Sequence, residues 1–397
     1  MKRGRTRVDR GFIGGTDGVS VVVKEYNLFI GFSHDPDSLP NMDGSDLLAV
    51  DQMRQAQVDG VLDRFFSLAK NRAASFGPEY VQLWEELQTS TTGGKRFRPR
   101  MVFCAYQSLG GTDIEAAAYV GAAFELLHTA LIVHDDVIDH DFVRRGVPNV
   151  SGSYRDRAIR SGASETAAEH RGISAAVIAG DLALFNAYRL IDRSGVGDVT
   201  RERLVEVMDD ALFASAAGEL IDVDFSHLTS MPRVDDILTM ERLKTAVYSF
   251  ECPLQAGAIL AGASEEIVST LADFGREIGV AYQIVDDLLG VFGRETETGK
   301  TTIGDLREGK RTVLISYATT TPQWAAIEDL VGRVDLTDEQ ADCIRAVLES
   351  SGARSFAEGL ARYYANRALG RLSESHIPAA LRDELLPLGD AVLGRVR

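Results

Sequence analysis

Cysteine is scarce in this 397-residue chain, with only Cys104, Cys252 and Cys343. They are odd in number, far apart and without C-x-x-C spacing, which excludes a disulfide framework and a cysteine zinc site and points to a reducing, cytoplasmic setting. Proline is sparse at 10 residues and aromatics make up 8%, so collagen-like and low-complexity classes are out. Apolar runs are short, the best being stretches such as residues 254–263. None approaches the roughly 20 uncharged residues of a membrane span, and none is expected. Basic charge is also in deficit, with 42 Lys and Arg against 59 Asp and Glu for a net charge of -17. Non-specific nucleic-acid binding is therefore excluded, and any anion site has to be local and basic. The first ten residues carry Lys2, Arg3, Arg5, Arg7 and Arg10 with no apolar core behind them. They read as a basic tail rather than a secretory signal.

Residues 1–50 are rich in Gly, Asp and Ser and are expected to form a partly disordered N-terminal tail. From Asp51 the pattern turns helical. Ser264 is a helix N-cap followed by Glu265 and Glu266, and Ile267, Leu271, Phe274, Ile278, Ala281, Val285 and Leu288 then recur at three and four. Residues 113–139 are Pro-free and apolar nearly all round, as in a central buried helix. Strand-like alternation is nearly absent after residue 50. The fold class is therefore all-α, with one domain over 51–397 and no repeat or linker inside it. The polar stretch from Arg144 to Arg171 reads as a loop over an active site.

Two acidic clusters end the two best helices. In His134-Asp135-Asp136-Val137-Ile138-Asp139, Asp135 and Asp139 are four apart and share a helix face. The repulsion between them would be relieved by a hard divalent cation, although a solvated helix end would also explain the acids. The second cluster is Asp286-Asp287, preceded by Gly275, Gly279 and Gln283 at intervals of four. That stripe of missing side chains allows something to lie close, either a ligand or a neighbouring helix. The cations are concentrated too. Gly93-Gly94-Lys95-Arg96-Phe97-Arg98-Pro99-Arg100 is followed by Arg144-Arg145, Lys244-Thr245, Lys300 and Lys310. Carboxylate-bound Mg²⁺ together with Lys and Arg is equipment for holding diphosphates.

In order along the chain, GGKRFRP, ELLHTALIVHDDVIDHDFVRRG, AGDLALF, KTA, YQIVDDLLGVFG, TGK and GDLREGKRT resemble the all-trans isoprenyl diphosphate synthases of the bacterial geranylgeranyl diphosphate synthase type. The resemblance implies a single bundle of long antiparallel helices around a deep apolar cavity, and a homodimer. It implies three Mg²⁺ ions held by Asp135, Asp139 and Asp286, with Asp136 and Asp287 in support. Arg144, Lys244, Thr245, Gln283, Lys300 and Lys310 would hold the allylic diphosphate, and Gly94, Lys95, Arg98, His128 and Arg145 the isopentenyl diphosphate. Glu125-x-x-His128 also has the form of a di-iron half-motif, but a second copy is missing. Position 290, often a third aspartate in the family, is glycine here.

Product length depends on cavity depth. Ala130 and Leu131 occupy the floor positions before the first aspartate, so the chain is expected to grow to Leu127, Phe124 and, from the other wall, Phe185. That favours the C20 product, geranylgeranyl diphosphate, over farnesyl or longer polyprenyl diphosphates. A class I terpene cyclase would need a different second metal motif and no isopentenyl diphosphate site. A non-catalytic partner subunit would be expected to lose lysines or aspartates that are present here.

Overall fold

The structure is a computed structural model that describes residues 44–93, 96–144, 146–228, 230–293 and 302–394. Its long helices are α1 (Gly44–Ala73), α2 (Pro78–Thr91), α3 (Phe97–Ser108), α4 (Ile114–Ile138), α5 (Val150–Arg160), α6 (Glu165–Asp192) and α7 (Asp198–His227). Next, α8 (Val234–Glu241) runs into a π-helical segment, Arg242–Glu251, and on into α9 (Cys252–Leu260). The remaining helices are α10 (Glu265–Phe292), α11 (Gly304–Glu308), α12 (Val313–Thr319), α13 (Asp338–Ser350), α14 (Ala353–Arg371) and α15 (Ala379–Gly394). Among the described residues the one sheet is a hairpin of β1 (Val143–Arg144) and β2 (Val147–Pro148).

The helices begin where local chemistry dictates. The Ser264 hydroxyl accepts from the Ile267 N–H at 3.4 Å, and Asp113 caps α4 by accepting from Ala116 at 3.0 Å. On α10 the apolar side chains spaced at three and four are buried, from Leu271 and Phe274 to Val285 and Leu288. α4 packs mainly on α6. The facing surface of α6 is small, with Gly172, Ala176, Ala179, Ala183 and Ala187 all buried. At Gly180 an added Cβ would sit 2.2 Å from His134 Nε2. Close approach is therefore built into this seam.

The polar stretch after Arg144 is not a loop. Asn149 caps α5 by accepting from the Gly152 N–H at 2.8 Å, and Val150, Tyr154 and Ala158 are buried at helical spacing. Only Val150 and Tyr154 are large on that face, too few to stand out among the charges. Two helices also exceed the sequence expectation about apolar runs. α4 and α6 are long and apolar enough to span a membrane by length and composition. The apolar window of α4 is 78% buried, as in a core helix, and that of α6 is 44% buried. The outer face of α6 exposes Val177, Ile178 and Phe185.

Candidate active site

The π-helical segment is the organising element of the site. A π turn is wider than an α turn and is frequent at functional sites. Here glycines on two neighbours make room for it. A Cβ at Gly218 of α7 would lie 2.2 Å from the Lys244 nitrogen, at Gly275 2.6 Å from Glu251 Cα, and at Gly279 2.6 Å from Ala246 Cβ. The stripe of glycines on α10 is thus occupied by a helix of the same chain, which is the packing alternative of the two.

Lys244 on this segment reaches the first acidic cluster, with Nζ 3.3 Å from Asp135, 3.0 Å from Glu219 and 2.6 Å from Asp222. Burial works against its charge, but Asp222 and Asp135 outweigh it and raise its pKa. Arg144 forks onto the same cluster, donating from Nε to Asp136 at 2.7 Å and from Nη2 to Asp135 at 3.0 Å. Burial pushes Asp136 up to about 6 in spite of Arg144. Asp139 is raised by burial and by repulsion from Asp135.

The second cluster sits beside it. Lys310 Nζ lies 3.1 Å from the buried Asp287, and Gln283 donates to the same Asp287 oxygen at 3.1 Å. Asp287 raises the Lys310 pKa, while burial raises that of Asp287 itself. Glu308 feels Asp305 and Lys310 on one side and Asp141 and Asp139 on the other. The two clusters therefore share one electrostatic site. A Cβ at Gly290 would lie 2.1 Å from Asp305 Oδ2, so a second carboxylate occupies the space that a side chain at 290 would need.

Arg98 and His128 also come together. Arg98 Nη2 donates to the Tyr248 hydroxyl at 2.9 Å and to Ser249 Oγ at 2.8 Å, its guanidinium lies 4.5 Å over the Tyr248 ring, and the Tyr248 oxygen is 3.3 Å from His128 Nδ1. Along α4, His128, Leu131, Ile132 and Asp135 are partly accessible at helical spacing, whereas Ala130, Leu127 and Phe124 are at most 1% exposed. Phe185 departs from the expectation. It is 65% exposed on the outer face of α6 and does not line a wall inside this protomer. Thr245 is half-buried beside Lys244. Gly94, Lys95, Arg145 and Lys300 lie outside the described residues.

Glu219, Asp222, Tyr248, Ser249 and Asp305 were not singled out from the sequence. Glu219 and Asp222 carried the one available signal, two acids at i,i+3 toward the C-terminal end of a helix, where the dipole disfavours them. Glu125 does not act as a di-iron ligand, because its carboxylate is bonded to Arg96 at 3.1 Å.

The carboxylates fit a hard divalent cation. Asp139 and Asp286 are accessible, and their carboxylates accept no hydrogen bond among the described residues. Among the described residues no three His, Cys, Asp or Glu side chains are grouped closely enough to hold a metal ion by themselves.

The all-α bundle thus carries two acidic clusters, three cations paired with them and a separate Arg–His corner. The sequence model of the polyprenyl synthetase family matches residues 82–349, and the chain belongs to this family of prenyltransferases of isoprenoid biosynthesis. It is 34% identical over 310 residues to geranylfarnesyl diphosphate synthase of Aeropyrum pernix, covering 77% of this chain and 91% of that one. It is 35% identical over 227 residues to geranylgeranyl diphosphate synthase of Sulfolobus acidocaldarius, covering 57% and 63%. A geranylgeranyl pyrophosphate synthase from Corynebacterium glutamicum, solved with isoprenyl diphosphate and magnesium, superposes with a TM-score of 0.80 at 28% identity, covering 87% of this chain and 99% of that one.

Proposed function

We propose that this enzyme is a Mg²⁺-dependent prenyltransferase that condenses isopentenyl diphosphate with dimethylallyl, geranyl and farnesyl diphosphates to give all-trans geranylgeranyl diphosphate. The observation that carries the reading is the pairing of Lys244 and Arg144 with Asp135, cations and carboxylates interleaved where a metal-bound diphosphate would need both. Asp135, Asp139 and Asp286 would hold Mg²⁺, three ions by family resemblance, and the metal supplies Lewis-acid stabilisation of the leaving diphosphate. Arg144, Lys244 and Lys310 place fixed positive charge where the allylic C–O bond breaks and leaving-group charge grows. Arg98 and His128 hold isopentenyl diphosphate with its double bond toward the allylic carbon. The new C–C bond forms from that double bond, and the proton released goes to the departing diphosphate.

Product length follows from α4. The accessible stripe runs from Asp135 through Leu131 to His128, and Leu127 and Phe124 on the next turn are buried; the C20 reading takes these two as its floor, without Phe185. The relative of A. pernix is named for a longer product, so a C25 product is the second reading. A homodimer is supported by the outer faces of α6 and α7. They expose Ile178 (51%), Phe185 (65%), Phe213 (79%) and Leu220 (62%), large apolar side chains of the kind that a protein–protein contact would cover.

The test is incubation of the purified chain with Mg²⁺, isopentenyl diphosphate and each allylic diphosphate, followed by dephosphorylation and sizing of the alcohols by mass spectrometry. A C20 alcohol is expected. C15 alone, or C25 and above, would keep the chemistry and refute the floor. Conversion of a single allylic diphosphate to a hydrocarbon would indicate a cyclase, and no reaction would indicate a partner subunit.

A further inference from the structure

The basic run from Lys95 to Arg100 looks uniform in sequence, and the fold divides it. Arg98 turns to the Tyr248–His128 corner, whereas Arg96 turns inward and is 6% exposed. Its Nε donates to Asp59 of α1 at 2.8 Å, and its Nη1 to the Thr91 carbonyl at the end of α2 at 2.6 Å and to Glu125 of α4 at 3.1 Å. Nη2 lies 2.7 Å from Asp59. Its backbone is left-handed, with φ 47° and ψ 44°. A non-glycine residue persists in that region only where its surroundings over-determine it. Arg96 immediately precedes α3, and Arg98 follows two residues later.

We propose that Arg96 is a positioning residue: it pins the start of α3 to α1, α2 and α4, and so fixes Arg98 for the diphosphate of isopentenyl diphosphate. The proposal rests on the prenyl-transfer reading above. Arginine is required because one planar fork reaches three partners on three helices, which a lysine ammonium on a flexible stem does not reproduce. The same contacts account for Glu125, three residues before His128. Its negative charge is used to hold the arginine, and one Arg96 donor spans from it to the Thr91 carbonyl.

The experiment compares wild type, Arg96→Lys and Asp59→Asn by varying each substrate in turn, with the thermal midpoint recorded for each variant. Binding of isopentenyl diphosphate alone is measured by calorimetry. Arg96→Lys should raise the KM and Kd for isopentenyl diphosphate about tenfold while the KM for farnesyl diphosphate stays within about twofold, a split that general loosening of the fold would not produce. Asp59→Asn, at a side chain 38% exposed, should show the same split at about threefold, and it carries the test if Arg96→Lys does not fold. Equal rises in both KM values, or no rise in either, would overturn the proposal. Failure of wild type to condense the substrates would instead overturn the reading on which it rests.

Discussion

One methyl group at Gly218 probes whether the π-helical segment is a scaffold for Lys244. A Cβ there would sit 2.2 Å from the Lys244 nitrogen and 2.6 Å from its Cα, where ordinary contact begins at 3.4 Å. Both atoms are backbone, so the segment has to retreat by roughly 1 Å, because close-packed interiors offer little slack. Alanine regains about 1 kcal/mol of helix propensity over glycine, against an overpacking cost of about 1–3 kcal/mol. The net loss of stability in Gly218→Ala should therefore be about 0–2 kcal/mol. The effect on rate should be larger, since Lys244 Nζ is placed to within hydrogen-bond distance of Asp222 and Glu219. A misplacement of about 1 Å can cost about 100-fold. Steady-state condensation rates and thermal midpoints of Gly218→Ala and Gly275→Ala together make the measurement. Gly275 meets the far end of the same segment, 2.6 Å from Glu251 Cα, and should cost similar stability but less than about tenfold in rate. A Gly218→Ala rate within twofold of wild type, or equal rate losses in the two variants, would refute the reasoning.

Ala130→Phe should shorten the product toward C15 in the mass-spectrometric assay, and an unchanged product would remove Ala130 from the floor. Phe185→Ala should leave product length unchanged, because the side chain is 65% exposed. Phe185→Asp should lower the dimer fraction in light scattering, and an unaltered mass would show that this face is not the interface. Lys310→Met should destabilise the fold by about 3 kcal/mol in urea unfolding, because it strips the buried Asp287 of its counter-charge. Lys310 is itself 38% exposed, which keeps the expectation at the low end, and a change under about 1 kcal/mol would show that water replaces it.

The sequence made some features plain and concealed others for physical reasons. α10 was legible because a cap, first-turn acids and apolar spacing all agree over its 28 residues. Asp135, Asp136 and Asp287 with Arg144, Lys244 and Lys310 stood out in the sequence because charged residues at buried helix ends have few structural uses, and the fold pairs these cations with these carboxylates. The π-helical segment could not be seen, since the room for its extra width is left by Gly218, Gly275 and Gly279 on other helices and is not written in its own propensities. Tyr248 and Ser249 were missed for the same reason. Adjacent in sequence, they meet one arginine from within that segment. Phe185 was misassigned because its neighbour pattern on α6 fixes the helix but not which face meets α4.

The charge balance of the mouth gives the last test. Among the described residues, Asp135, Asp136, Asp139, Asp141, Glu219, Asp222, Asp286, Asp287, Asp305 and Glu308 are set against Arg144, Lys244 and Lys310. Burial and mutual repulsion raise the pKa of Asp139, Glu219, Asp287 and Glu308 above ordinary carboxylate values. Such an excess destabilises the ligand-free fold and is relieved by any cation that binds the native state alone. Mg²⁺ without substrate should therefore raise the thermal midpoint, by an amount equivalent to about 1.4 kcal/mol at tenfold above its Kd. NaCl at equal ionic strength should do less, because screening acts weakly on half-buried groups. Asp139→Asn should reduce the Mg²⁺ response while raising the metal-free midpoint, since it removes one repelling charge from beside Asp135. A Mg²⁺ response no greater than that of NaCl, or one unchanged in Asp139→Asn, would mean that these carboxylates are balanced by the protein itself.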